Sequence, residues 1–437
     1  MCKDTHEIGS GPSIASVGRR LRQFTVCALS AAVIAGCSSR PAPAPAAAAP
    51  PPGFFGAVAA DEPQAALIGR EILAAGGTAA DAAIATYFAM AVTLPSQASL
   101  AGGGMCVSFN TATNEAQALE FLARPSSPAQ SGGDRPTAIP GNIRGFFALH
   151  GVYGRLRWSQ LLAPAENLAR FGVPVSRALS TDLTQVESAL AREPRMRRIF
   201  SAEGGRRMVA DGDTLVQPDL AAVLASVRTS GPGDFYSGPL SVRFLQGVRE
   251  AGGSLSREDL AYQPVWRKPL MVGFDDERAY FAPPPPAGGV IAGQTWAMLV
   301  KDDRFNRASP ADRDALLVSA AGRAFADRRQ WATGGADLQS LASAARVDTL
   351  LGGRNDGAAT RAVAAGQPAT ENPAAATLVA IDGQGSAVAC AVTLNSLFGT
   401  GRVAGDTGIV LASSPGQGGR GGAMLGPMVV IKPSGRE

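Results

Sequence analysis

Two strand-like runs stand on either side of three turn residues. TLVAID (377–382) and SAVACAVTLN (386–395) flank Gly383-Gln384-Gly385. Apolar runs of this length split by a short glycine turn predict a β-hairpin, and a hairpin commits its sheet to antiparallel neighbours. The pattern recurs along the chain. GGGMCVSFN (102–110) and EAQALEFLA (115–123) read as a second strand pair, WRKPLMVGF (266–274) and RAYFAPPPP (278–286) return to strand, and AMLGPMVVIK (423–432) follows a loop. Helical blocks lie between. QAALIGREILAA (64–75) carries Leu67, Ile68, Ile72 and Ala75 at helical spacing, with Gly76 as its stop. Thr78-x-x-Asp81 then forms a capping-box pattern before AADAAIATYFAMAV (79–92). Residues 141–263 and 310–365 read mainly as helix. Strand pairs alternating with helical blocks predict a layered α/β body built on antiparallel sheets.

Composition excludes several functions. Basic residues exceed acidic ones by 40 to 36; four of the basic ones and two of the acidic ones precede residue 37, which leaves 36 against 34 in the remainder. Without a basic run, nucleic acid is not an expected partner. His6 and His150 are the two histidines. A His-rich metal site is therefore excluded, and a Ser-His-Asp triad would have to be built around His150, in the helical run GFFALHGVYG. The loop GQGGRGG (416–422) is no phosphate cradle, since no Lys-Ser/Thr follows it. No cofactor and no metal are expected.

The first residues read as an address. Arg19, Arg20 and Arg22 precede FTVCALSAAVIAGC (24–37), a basic start followed by a short apolar run ending in small residues. Ile34-Ala35-Gly36-Cys37 resembles a bacterial lipobox. The expectation is a signal peptide over 1–36, a lipid on Cys37, and a Pro/Ala-rich spacer over 37–56 carrying a domain over 57–437. This places the protein in the bacterial cell envelope, lipid-anchored and facing the periplasm. The alternative is an ordinary signal peptide with a chance cysteine. Cys2 and Cys27 leave with the signal. Cys106 and Cys390 sit in apolar strand-like runs and are read as buried free thiols, although an exported compartment permits a disulfide.

Long ordered strings carry a resemblance. They are AVAADEPQAALIGREILAAGGTAADAAIATYFAMAVTLPSQASLAGGG (57–104), IPGNIRGFFALHGVYGRLRWSQLLAPAENLARFGVPV (139–175), GDTLVQPDLAAVL (212–224), GPGDFYSG (231–238), AGGSLSREDLAYQPVWRKPL (251–270), PPPPAGG (283–289) and TLNSLFGTGRVAGDTGIVL (393–411). In this order they resemble the γ-glutamyltranspeptidases. The resemblance implies the αββα four-layer sandwich of the N-terminal nucleophile hydrolases, with a large helical region. It also implies a precursor that cuts itself before a Thr, whose freed amine serves as base for its own hydroxyl. That hydroxyl takes the γ-glutamyl group of glutathione-like compounds and passes it to water or an amino acid.

The resemblance also implies which positions should carry the chemistry, and several are changed. The family's Thr-Thr-His run falls, counted back from Asp382, on Ala375, Ala376 and Thr377, so the nucleophile position is Ala375. Thr377 is a candidate substitute, two residues along. Thr393, which in the family assists the nucleophile, and Asn395, which contacts substrate, are retained, and strand alternation puts them on one face with Ala387, Ala389 and Ala391. Leu122 stands where the family has the Arg that binds the glutamyl α-carboxylate, and Arg124 is the candidate replacement. The acidic partner of the substrate amine falls on Gln417, and paired serines on Ala423 and Met424. No counterpart of the family's Gly-Gly oxyanion hole follows MVVIKPSGRE. Three readings result. The favoured one is an inert member retained to bind a γ-glutamyl peptide, an envelope component or a protein partner. The second is an active γ-glutamyl hydrolase or transferase using Thr377. The third is a truncated member whose Met428–Lys432 strand is an unpaired edge awaiting strands from another chain.

Overall fold

The computed structural model describes residues 55–127, 134–332, 337–353, 374–415 and 424–432. Nine strands form the two principal sheets: β1 (Gly56–Ala60), β2 (Gly103–Asn110), β3 (Glu115–Phe121), β4 (Val265–Arg267), β5 (Leu270–Phe274), β6 (Glu277–Phe281), β7 (Ala375–Asp382), β8 (Ala387–Thr393) and β9 (Met428–Ile431). The longer helices are α1 (Pro63–Ala74), α2 (Ala79–Thr93), α3 (Asn142–Tyr153), α4 (Trp158–Phe171), α5 (Arg177–Leu190), α6 (Pro218–Ser230), α7 (Pro239–Glu250), α8 (Gly288–Val300), α9 (Pro310–Trp331) and α10 (Ala344–Gly352). One sheet has six strands in the order β1-β7-β8-β2-β3-β4, the other three in the order β9-β6-β5. Every pairing in both is antiparallel.

Local chemistry explains why these elements form where they do. Asp382 and Ser386 close the predicted hairpin: the Asp382 amide donates to the Ser386 carbonyl at 2.9 Å. Gly385 takes φ +83°, a value that glycine adopts without strain. At α2 the capping box is present in both halves, Asp81 N to Thr78 Oγ1 at 3.1 Å and Thr78 N to Asp81 Oδ2 at 3.0 Å. All fifteen residues of α2 are buried. Its run of alanines lets other elements pack against every side, so it reads as apolar all round rather than as one stripe.

Alternation in the strands sorts side chains into layers. Leu119, Phe121, Leu378, Val388 and Val392 pack with Ile84, Phe88, Phe146 and Leu161 in the core beneath α1–α4. On the opposite face Met105, Val107, Phe109, Ala118, Ala387 and Ala389 meet Val429, Tyr280 and Ile431 of the second sheet. Beyond that sheet, Leu270, Val272, Ala279 and Phe281 pack against Val290, Met298, Ala320 and Trp331 of α8 and α9. The result is helix, sheet, sheet, helix, the four layers that the family resemblance implies. The smaller sheet leaves part of the larger one uncovered, and Val379 and Ile381 of β7 stay more than a third exposed.

Two expectations are corrected. Cys106 and Cys390 are joined in a disulfide, not left as thiols. They are register partners on the adjacent central strands β2 and β8, with Cα atoms 4.0 Å apart, close enough for a cross-strand bond. The terminal strand is not unpaired: β9 pairs along its length with β6 and buries Val429 between the sheets. Among the described residues it has one open edge, on its outer side. The signal, Cys37 and nearly all of the spacer lie outside the described residues, as do Gln417 and Ala423. Among the described residues no helix is long and apolar enough to cross a membrane.

Candidate binding site

The register of β7 against β8 sets the geometry. Ala375 lies opposite Thr393, Ala376 opposite Val392, and Thr377 opposite Ala391. Thr377 therefore sits two residues, or about 6.6 Å, along the strand from the position facing Thr393. It is exposed and tied to Asp61: its amide donates to Oδ2 at 2.7 Å, its hydroxyl lies 3.1 Å from both carboxylate oxygens, and the Asp61 amide returns a bond to the Thr377 carbonyl.

Thr393 and Asn395 come together, though not by strand alternation. β8 ends at Thr393, and Asn395 has φ +65°, a left-handed turn that takes it off the strand face. The Thr393 hydroxyl donates to the Ala374 carbonyl at 2.5 Å and accepts from the Asn395 amide at 2.8 Å. The Asn395 side chain donates to the Ser413 carbonyl at 2.8 Å. Both residues thus satisfy backbone groups, and both also line a cavity of about 410 Å³.

Leu122 and Arg124 line the same cavity. Arg124 is not free in solvent. It pairs with Glu120, which is fully buried and whose second oxygen receives Arg267. The Arg124 guanidinium also lies 4.6 Å from the centre of the Tyr262 ring. Burial pulls the Arg124 pKa down, but the bond to Glu120 and the surrounding charge outweigh it, and the net shift is upward. Tyr262 is pushed up to about 12, chiefly by burial.

The opposite wall comes from α9. Asp327 is buried, accepting Gln294 Nε2 at 2.7 Å and pairing with Arg346. This fixes the helix about its axis and sets the next residue, Arg328, at the cavity. Sequence reading missed Arg328: the run ADRRQW offers nothing to distinguish one exposed helical arginine from another. Asp61 was missed for the same reason, being far from Thr377 in the chain. Met424 completes the rim, 3.5 Å from Arg328 through its sulfur.

A second cavity, of about 480 Å³, lies at the other end of the sheet, by the hairpin turn. Its carboxylate, Asp382, already accepts from the amides of Ala79, Gln384 and Ser386. His150, half-buried on α3, holds the Leu156 carbonyl at 2.8 Å and belongs to neither cavity. Among the described residues no group of three or more His, Cys, Asp or Glu is placed to hold a metal ion.

The family model described as gamma-glutamyltranspeptidase matches residues 65–415. The chain belongs to the γ-glutamyltranspeptidase family. It is 31% identical over 386 residues to the glutathione hydrolase proenzyme of Escherichia coli K12, covering 82% of this chain and 65% of that protein. It is 28% identical over 387 residues to the same-named proenzyme of Pseudomonas aeruginosa, covering 82% and 67%. Among solved structures it superposes on Helicobacter pylori γ-glutamyltranspeptidase with a TM-score of 0.59 at 28% identity, covering 74% of this chain and 93% of that one. Cephalosporin acylase from Bacillus halodurans, at TM-score 0.70 and 23% identity, covers 87% and 76% and shares the fold. This γ-glutamyltranspeptidase-family chain thus spans about two thirds of the E. coli relative's length, and its cavity lies where the ends of β3 and β8 meet α9.

Proposed function

We propose that this chain binds a γ-glutamyl-type ligand in the cavity lined by Thr393, Asn395 and Arg124, and that it does not cleave it. The observation that carries the proposal is the pairing of Ala375 with Thr393. A methyl group can neither attack an acyl carbon nor be activated by a neighbouring base. Thr377 lies about 6.6 Å away along the strand, where a displacement of about 1 Å can already cost a hundredfold in rate. The same proposal places the protein in the cell envelope through a lipid on Cys37. The Cys106–Cys390 bridge supports export, since such bonds persist in oxidising compartments. The open outer edge of β9 is where a protein partner would add a strand.

The purified chain from residue 38 is expected to run as one band on a denaturing gel and to release no chromophore from a γ-glutamyl anilide. Glutathione is expected to raise its melting temperature, as any ligand of the folded state does. One contact favours a second reading, in which the chain is an active γ-glutamyl hydrolase or transferase: the Thr377 hydroxyl already meets a carboxylate, Asp61. A split before Thr377, with turnover that Thr377→Ala abolishes, would replace the first reading by the second.

A further inference from the structure

We infer that the outer face of α9 is a homodimer interface, on which two copies of this chain pack antiparallel about Ala321. A helix at the surface of a globular domain ordinarily turns an apolar stripe inward and charged residues outward. Helix α9 departs from that pattern over 315–326, ALLVSAAGRAFA. Its inner side is occupied: Ala320, Ala324 and Trp331 pack in the core with Val290 and Met298 of α8. Its outer side is apolar as well. Leu317 is 45% exposed, Val318 58% and Phe325 37%. The single charged residue of the run, Arg323, turns aside onto the Leu350 and Gly353 carbonyls at the end of α10. A contiguous exposed apolar patch of this kind marks a contact surface.

The order of residues names the occupant. Leu317 and Phe325 stand four positions either side of Ala321, and Asp314 and Arg328 stand seven. Those spacings are close to whole turns, so all five lie along one flank of the helix. Around a two-fold axis at Ala321, each Leu317 meets the partner's Phe325 and each Asp314 meets the partner's Arg328. Ala321 meets its own copy, and a small residue at the crossing lets the two helices approach. The antiparallel register thus sets bulk against bulk and opposite charges together at both ends. A parallel pair would set like charge on like, and an anionic membrane, the competing occupant of such a face, would repel the exposed Asp314. Arg328 also lines the cavity of about 410 Å³, so in this dimer the partner's Asp314 comes to the cavity rim. The inference stands independently of what that cavity binds.

Sedimentation equilibrium of the chain from residue 38 is expected to show monomers and dimers in exchange. Leu317→Ser/Phe325→Ser is expected to weaken the dimer at least tenfold. Cross-linking reads the register. The two cysteines of this chain are bridged, so an introduced one is the sole free thiol. Under mild oxidation Ala321→Cys is expected to link to its own copy. Asp314→Cys is expected to link to Arg328→Cys in a mixture, and not to itself. A wild-type chain that stays monomeric, or a dimer that the serine variant leaves unchanged, would overturn the inference. Asp314→Cys linking to itself would overturn the antiparallel register. A monomer that sediments with phosphatidylglycerol vesicles, and loses them in the serine variant, would give the face to the membrane instead. Should the serine variant fail to fold, the cross-links alone decide.

Discussion

Reduction of the Cys106–Cys390 bridge is expected to destabilise the fold by about 2–5 kcal/mol. The two cysteines are 284 residues apart and join the central strands β2 and β8. A cross-link that closes so long a loop restricts the unfolded chain strongly, and the cost of loop closure grows with the logarithm of length. Both sulfurs are buried, so reduction also leaves two thiols packed in a core shaped for a bond. Denaturant unfolding with and without a phosphine reductant measures the difference, and a Cys106→Ala/Cys390→Ala variant should match the reduced chain. The chain from residue 38 contains no other cysteine. Thiol titration of the unfolded, unreduced chain should therefore find none. Two titratable thiols, or equal midpoints in both conditions, would show that the strands hold together without the bond.

Asp81→Ala is expected to cost about 3–5 kcal/mol. The Asp81 carboxylate is fully buried and accepts three backbone amides: Thr78 at 3.0 Å, Arg155 at 3.0 Å and Leu156 at 3.1 Å. It thus caps α2 and pins the segment after α3 to the same point, a junction reinforced by the Thr78 hydroxyl on the Tyr153 carbonyl at 2.9 Å. Losing the Thr78 cap bond costs about 1 kcal/mol, and each of the part-buried Arg155 and Leu156 amides left without an acceptor about 1–2 kcal/mol more. Helix α2 has no solvent face onto which its first turn could fray, so the loss reaches the core. Asp81→Asn, which keeps the shape and one acceptor oxygen, should recover part of the loss. A change below about 1 kcal/mol for the alanine variant in a guanidinium melt would mean that water replaces the carboxylate.

Short-range chemistry made much of the fold legible. The hairpin turn at Gly383–Gly385, the capping box at Thr78 and Asp81, and the strands at 103–110 and 115–121 each follow from residues close together in the chain. Features that depend on register or on distant segments did not. Nothing near Cys106 signals that its cross-strand partner is Cys390. Asn395 was placed on a strand face because alternation was carried past Thr393, where a left-handed residue ends it. In the site, the positions of Ala375, Thr393 and Arg124 were reached through the family resemblance. Arg328 enters the cavity only because Asp327 is anchored to Gln294 and Arg346, a relation spread across three helices.

The order of strands in the large sheet governs how the chain can be made. β7 and β8, encoded after residue 374, are wedged between β1 and β2, both encoded before residue 111. A nascent polypeptide emerging from the ribosome would thus present two unsatisfied strand edges through most of its synthesis, with the keystone hairpin arriving late. The domain cannot assemble vectorially from its amino end, and any fragment ending before that hairpin carries a split sheet prone to pair with its own copies.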